Sequence, residues 1–453
     1  MTFDSFSNAN TETCSQDSAA TISFADVFGE KLNKAKILID DRAGDSPAER
    51  SDIDDYKDKV KVRVESNPDE KESWSRNLLV PSLDSNHAWS SDTIALQNKL
   101  TNDAQKLDTT ERTKFLNDMN SFLDRAATLG LDEKSEVDKT LQNCDSLLNP
   151  QGTAFIDGAP QGRSLRLMLA EQVMSKAAFP STTDQGVFGT CTIASLETRT
   201  WFAKPSVASG LIAEQALSGH WTAPDGKQIV LPAIDFKPDK YSQQTVAKNG
   251  MRNYAGQIFQ ATAMSDIGSR GHVHEGQEEF YVDGGTTASG SGIEYWADAN
   301  GNKVNKFNGL DDIQTAEELK RMCGDNTVVF CSAPSKPDDH VLSFTSKEDL
   351  IQKLVEAQEQ GKMPVTFVVA TGDRLFGGNG EHKLNHAICI DKYDPVTRTL
   401  VLDNQWGSKY DWGTATVKGS PADRNPVVSI DDFYPATQED HEATSLRKKV
   451  QLF

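Results

Sequence analysis

Cys191 lies in the run QGVFGTCTIAS, residues 185–195, whose Gln185, Gly186 and Gly189 suit a loop closely approached by other backbone. Ile193, Ala194, Leu196, Trp201 and Phe202 supply apolar material for a buried helix that begins near the cysteine. A thiol at a helix N-terminus faces unsatisfied N–H groups and the positive end of the aligned peptide dipoles, which favours the nucleophilic thiolate. A cysteine buried only as a small hydrophobe fits the same position. Residues 385–407, NHAICIDKYDPVTRTLVLDNQWG, read as two alternating apolar strands joined by a turn at Asp394-Pro395. Pairing about Pro395 sets His386 opposite Asn404, with Cβ atoms roughly 5 Å apart, where a carboxamide can fix the orientation and tautomer of an imidazole. Trp406 next to them is a natural lid against water, although a tryptophan after a strand also serves as ordinary core. Thiol, base and orienter are the requirements of covalent acyl transfer.

The elements that position these residues fall into two regions of different character. Leu96, Leu100, Ala104 and Leu107 repeat with helical period over residues 93–107, and Phe115, Met119, Phe122, Ala126 and Leu129 repeat at i+3 and i+4 before Gly130. A third helix is expected over 133–147, and together these stripes suggest a small helical bundle that packs on something else. A Gly/Pro-containing break at 152–162 precedes a helix over 164–174, marked by Leu165, Leu169 and Val173, and beyond it strand candidates at 327–331, 365–370, 387–391 and 399–403 alternate with Gly- and Asn-rich loops. The organisation is α+β. Four segments result: an acidic, partly disordered arm over 1–90, a helical region over 91–160, the chemistry-bearing domain over 161–440, and a tail over 441–453.

The chain has 453 residues and a formal charge of -20, so it is long enough to bury a real core and repels phosphate backbones. Nucleic acid is not an expected partner, and with no run of roughly 20 apolar residues neither is a membrane. The N-terminus lacks the basic and apolar regions of a Sec-type signal. Six cysteines without CxxC or zinc-finger spacing suggest reduced thiols in a cytosol-like compartment, or export by another route. The stretch 283–292, DGGTTASGSG, reads as a surface loop and lacks the order GxxxxGK[ST], so no cofactor is expected. His272, His274, Glu275 and Glu278 lack a further ligand at diagnostic spacing and read as a solvated loop rather than a metal site. Oligomeric state leaves no signal.

Gln185, Cys191, His386 and Asn404 occur in the order and local settings of the papain-like cysteine peptidase superfamily. The likeness is greatest to the calpain type: QGVFGTC resembles its Gln-Gly-x-x-Gly-Asp-Cys-Trp segment, and HAICI and NQWG resemble its His-Ala and Asn-Pro-Trp-Gly segments. The resemblance spans about residues 175–435 and is concentrated in these motifs. It implies a papain-like fold, a helical subdomain carrying the nucleophile packed on an antiparallel sheet subdomain, and a cysteine endopeptidase acting on protein or peptide substrates. Cys191 would attack the scissile carbonyl and His386 would accept its proton. Asn404 would orient His386, Gln185 and the Cys191 N–H would hold the oxyanion, and Trp406 would shield the His–Asn pair. Three positions depart from the calpain pattern: Thr192 replaces tryptophan, Thr190 replaces aspartate and Gln405 replaces proline. The long span between Cys191 and His386 implies an insertion within 268–337, and no EF-hand loop is present to carry over calcium control. Asp403 beside Asn404 leaves a Cys–His–Asp transglutaminase or deamidase open, but neighbouring strand residues point to opposite faces, so only one of the two can meet His386. An inactive papain-like binding module is the remaining alternative.

Overall fold

The helix expected to begin near Cys191 begins at that residue. A computed structural model describes residues 87–156, 164–239, 242, 251–271, 278–286, 292–307, 309–324, 328–332, 339–370, 373–376, 385–406 and 427–438. The acidic arm to residue 86, Cys14 within it, the tail over 441–453, His272, His274 and Glu275 lie outside the described residues, as does most of the loop before His386.

The N-terminal stripes become α1 (Ser91–Asp103), α2 (Thr109–Leu129) and α3 (Lys139–Leu148), the last entered through a π-helical turn at Glu133–Asp138. Ser90 and Asp108 cap α1 and α2 by accepting backbone N–H groups, and Gly130 ends α2 with a φ of 62°. α4 (Leu165–Ala178), α5 (Cys191–Ala203) and α6 (Pro205–Ser218) follow. Leu100, Phe115, Phe122 and Leu141 of the first three helices share one apolar core with Leu169 and Val173 of α4 and with Ile193, Leu196 and Trp201 of α5. The bundle's partner is therefore the layer that bears Cys191, and the break at 152–162 lies between helices with a common core.

A short hairpin, β1 (Trp221–Thr222) with β2 (Gln228–Ile229), leads to α7 (Tyr254–Ser269), which is buried along its whole length. The stretch expected to hold an insertion carries an antiparallel sheet of β3 (Phe280–Thr286), β4 (Gly292–Ala297) and β5 (Lys303–Lys306), then α8 (Asp312–Cys323). The glycine-rich stretch 283–292 is thus corrected from surface loop to hairpin flanks. Its ends join the ladder, with Thr286 paired to Gly292 across a register shift, because backbone hydrogen bonds hold strand geometry where side chains do not.

The larger sheet comprises β6 (Val329–Phe330), β7 (Val341–Leu342), β8 (Val365–Ala370), β9 (Asn385–Asp394), β10 (Thr399–Asp403) and β11 (Val427–Ser429). Its order is β11-β10-β9-β8-β6-β7. β8 to β11 are antiparallel, but β6 runs parallel to both β7 and β8, so the sheet is mixed rather than the expected antiparallel one. The chain reaches β8 through α9 (Lys347–Glu359), the kind of crossover a parallel arrangement requires. One sheet face, through Phe330, Phe367, Ile388, Ile390, Leu400 and Leu402, packs on α9 and on α10 (Ile430–Ala436). α5 packs against β9. The class is α+β. Among the described residues, no helix is long and apolar enough to cross a membrane.

Candidate active site

Thr190 precedes α5 without capping it: no side-chain capping bond is made, and its hydroxyl instead donates to Gln260 Oε1 at 2.8 Å. The first-turn N–H groups of α5 are thereby left for the half-buried Cys191. The N–H groups of Cys191, Thr192 and Ala387 pull the thiol pKa down, but burial outweighs them and Glu294 adds to the upward push. The expected preference for thiolate is therefore corrected: desolvation of an anion at this helix end exceeds the local dipoles. Ala387 N–H belongs to the peptide that follows His386, so α5 and β9 bring the Cys191 thiol to the backbone beside that histidine.

His386 is 2% exposed and stacks on the indole of Trp406, ring centroids 3.9 Å apart and planes 19° apart. Its Nε2 lies 2.9 Å from Asn404 Oδ1. The same oxygen accepts the backbone N–H of Trp406 at 3.1 Å, and a backbone N–H is always a donor, so this atom is the amide oxygen. Nε2 must then carry the proton, and Nδ1 is the unprotonated nitrogen. Nδ1 is buried and makes no hydrogen bond with the described residues. Burial lowers the His386 pKa to about 4 against the opposing Asn404 bond, so at neutral pH the imidazole is an uncharged base.

The contact arises by a different register from the one expected. A four-residue turn over 395–398, with Arg398 at a φ of 54°, pairs Leu400 with Tyr393, and an irregularity between Val401 and Leu402 then pairs Asp403 with Cys389. Continued by one residue, that register sets Asn404 across from Ile388, so Asn404 reaches His386 as a diagonal neighbour on the same face. Asp403, pointing the other way, accepts from Thr198 of α5 at 3.3 Å. The structure thus brings Asn404, and not Asp403, to the imidazole.

Gln185 Nε2 donates to Phe188 carbonyl at 2.7 Å, which uses one of its two hydrogens. Gly186, at a φ of 69°, backs onto Arg252, whose backbone N lies 3.2 Å from where a Cβ would stand. The Arg252 guanidinium sits 4.0 Å from the centroid of the Phe188 ring and pairs with Asp239 at 3.2 Å and with Asp283. Gly189 N–H donates to Glu294 Oε1 at 2.6 Å.

Three positioning residues escape the sequence: Arg252 and Glu294, which only the fold brings to the 185–190 loop, and Gln405, legible only as a departure from proline. Among the described residues, no cluster of three or more His, Cys, Asp or Glu is disposed to hold a metal ion, and Glu278 pairs with Lys227 at 3.2 Å. Cys144, Cys323, Cys331 and Cys389 are buried. No family model, curated protein or solved structure matches this chain.

Proposed function

We propose that the chain is a cysteine endopeptidase of papain-like, calpain-like type that hydrolyses peptide bonds in protein substrates. The observation that carries this reading is the His386–Asn404 bond: it leaves Nδ1 without a hydrogen bond among the described residues, while the N–H of the adjoining Ala387 faces Cys191 at the head of α5. Cys191 and His386 start uncharged, so the thiol proton moves to Nδ1 as sulfur attacks the scissile carbonyl carbon. The second hydrogen of Gln185 Nε2 and the Cys191 N–H hold the oxyanion. The tetrahedral intermediate collapses to a thioester as the leaving amine takes the proton from His386. Water, deprotonated by Nδ1, then attacks the thioester carbonyl, and sulfur leaves with that proton. Stacking with Trp406 excludes water from the Asn404 bond and keeps the tautomer fixed.

The engagement of Asp403 by Thr198 favours the Asn form of the triad over a Cys–His–Asp transglutaminase or deamidase. The test is incubation with an electrophilic peptide probe, wild type beside Cys191→Ala, read by intact mass. One adduct is expected on the wild type and none on the variant. Labelling that persists in Cys191→Ala, or none on a folded wild type, overturns the assignment. Ammonia release from a protein substrate without chain cleavage would reassign the same thioester chemistry to deamidation.

A further inference from the structure

The small sheet within 268–337 is fastened to the loop that leads to the nucleophile. Gly292 N–H donates to Val187 carbonyl at 2.9 Å, and two residues along β4 Glu294 accepts Gly189 N–H at 2.6 Å. Glu294 Oε1 also accepts the Tyr281 hydroxyl at 3.0 Å, so this oxygen is occupied twice. Oε2 takes no hydrogen bond from the described residues and lies 3.1 Å from where a Cβ on residue 189 would stand. A glycine there lets the carboxylate lie this close to the loop without a shift of its tip. The side chain is half-buried, and the Cys191 thiol feels its charge.

A partly desolvated carboxylate is usually matched by a cation. Among the described residues, no Lys or Arg forms an ion pair with Glu294. Arg252, the cation that bears on it, is paired to Asp239 and Asp283. Asp235 lies in the same cluster and donates no positive charge; it accepts the Asp283 N–H at 2.8 Å. Among the described residues, the wall beside Cys191 therefore holds more carboxylates than cations and one carboxylate oxygen without a hydrogen bond, and burial pushes the Glu294 pKa up for want of a close counter-ion.

We infer that Glu294 is a specificity-determining residue, receiving a Lys or Arg side chain of the polypeptide substrate beside the scissile bond. This rests on Cys191 being the acylated residue. A substrate cation on Oε2 would supply the missing counter-ion while Oε1 keeps its hold on Gly189, so recognition and nucleophile-loop geometry share one side chain.

The discriminating variant is Glu294→Gln, which keeps an amide oxygen for Gly189 N–H and Tyr281 hydroxyl but removes the charge. Two probe pairs are compared, each mapped to Cys191 by peptide mass. The first is cationic 2-aminoethyl methanethiosulfonate against anionic 2-sulfonatoethyl methanethiosulfonate, which report local potential at a thiol without catalysis. The second is a peptidyl electrophile with lysine next to the warhead against its norleucine isostere. The cationic member is expected to react faster in both pairs, and both ratios are expected to fall by about tenfold in Glu294→Gln. Either ratio unchanged in a variant with wild-type melting behaviour overturns the inference. Failure of all peptidyl probes with Cys191 still open to methanethiosulfonates instead overturns the peptidase reading, and with it the assignment of a substrate cation.

Discussion

The backbone N–H of Gln185 donates to the carbonyl of Gln405 at 2.9 Å, which ties the loop ahead of Cys191 to the segment that carries Asn404 and Trp406. Gln405 extends the tie with its side chain: Ser195 of α5 donates to Oε1 at 3.0 Å, and Nε2 donates to Asp403 carbonyl at 3.1 Å. One residue thus joins the 185–190 loop, α5 and the sheet.

Gln405→Leu leaves the Ser195 hydroxyl without this acceptor at a fully buried position, which costs on the order of 1–3 kcal/mol. A lower urea midpoint is expected, with slower labelling of Cys191 by the peptide probe. A midpoint and labelling rate equal to wild type would show that the tie through the side chain is dispensable.

Removing the indole in Trp406→Ala opens His386 to water. Since burial is what lowers the pKa to about 4, exposure returns it upward toward the ordinary 6.5. The chemical shift of the His386 ring proton against pH reports this directly, and the acid limb of probe labelling should move up with it. A titration that stays near its wild-type position would mean that the indole is not what keeps the ring dry.

The elements were legible where burial is one-sided. α2 shows its stripe of Phe115, Met119, Phe122 and Ala126 because the opposite face meets water, and β8 and β10 begin and end where alternation and turn residues place them. α7 gave no such signal: Gln257, Gln260, Thr262, Ser265 and Asp266 are buried alongside its apolar residues, so polar and apolar positions do not segregate. The His386–Asn404 contact was legible from a local hairpin although the register was not. The turn holds four residues and the ladder shifts after Val401, details set by Arg398 in the left-handed region and by the neighbouring strands. Arg252 and Glu294 reach the site from elements distant in sequence, which no local pattern records.

The lowered His386 pKa makes stability depend on pH with a definite sign. Above the ordinary value of 6.5 both folded and unfolded chains hold a neutral ring, and the contribution is fully present. As pH falls from 6.5 toward about 4 the unfolded chain takes the proton first, and stability is lost, by about 3 kcal/mol over that window. Urea midpoints at several pH values should therefore fall more steeply for wild type than for His386→Gln. Equal slopes in the two proteins would remove the buried neutral imidazole from the account.

Arg252 is the residue whose loss should reach the site from farthest below it. The guanidinium is buried between Asp239 and Asp283 and lies on the Phe188 ring, whose backbone carbonyl holds Gln185 Nε2. Arg252→Met keeps much of the volume but leaves two carboxylates in a dry setting without their cation, a change that costs about 3–5 kcal/mol. Asp283→Asn on the same background removes one stranded charge and should recover part of the loss, whereas the two changes would add if the pair did not interact. Probe labelling separates the local effect from the global one. If Arg252 supports the loop through Phe188, labelling of Cys191 slows in Arg252→Met even where the protein remains folded, and the stability regained with Asp283→Asn does not restore the rate, because the ring is still unsupported. Recovery of both together would mean that charge balance alone positions Gln185.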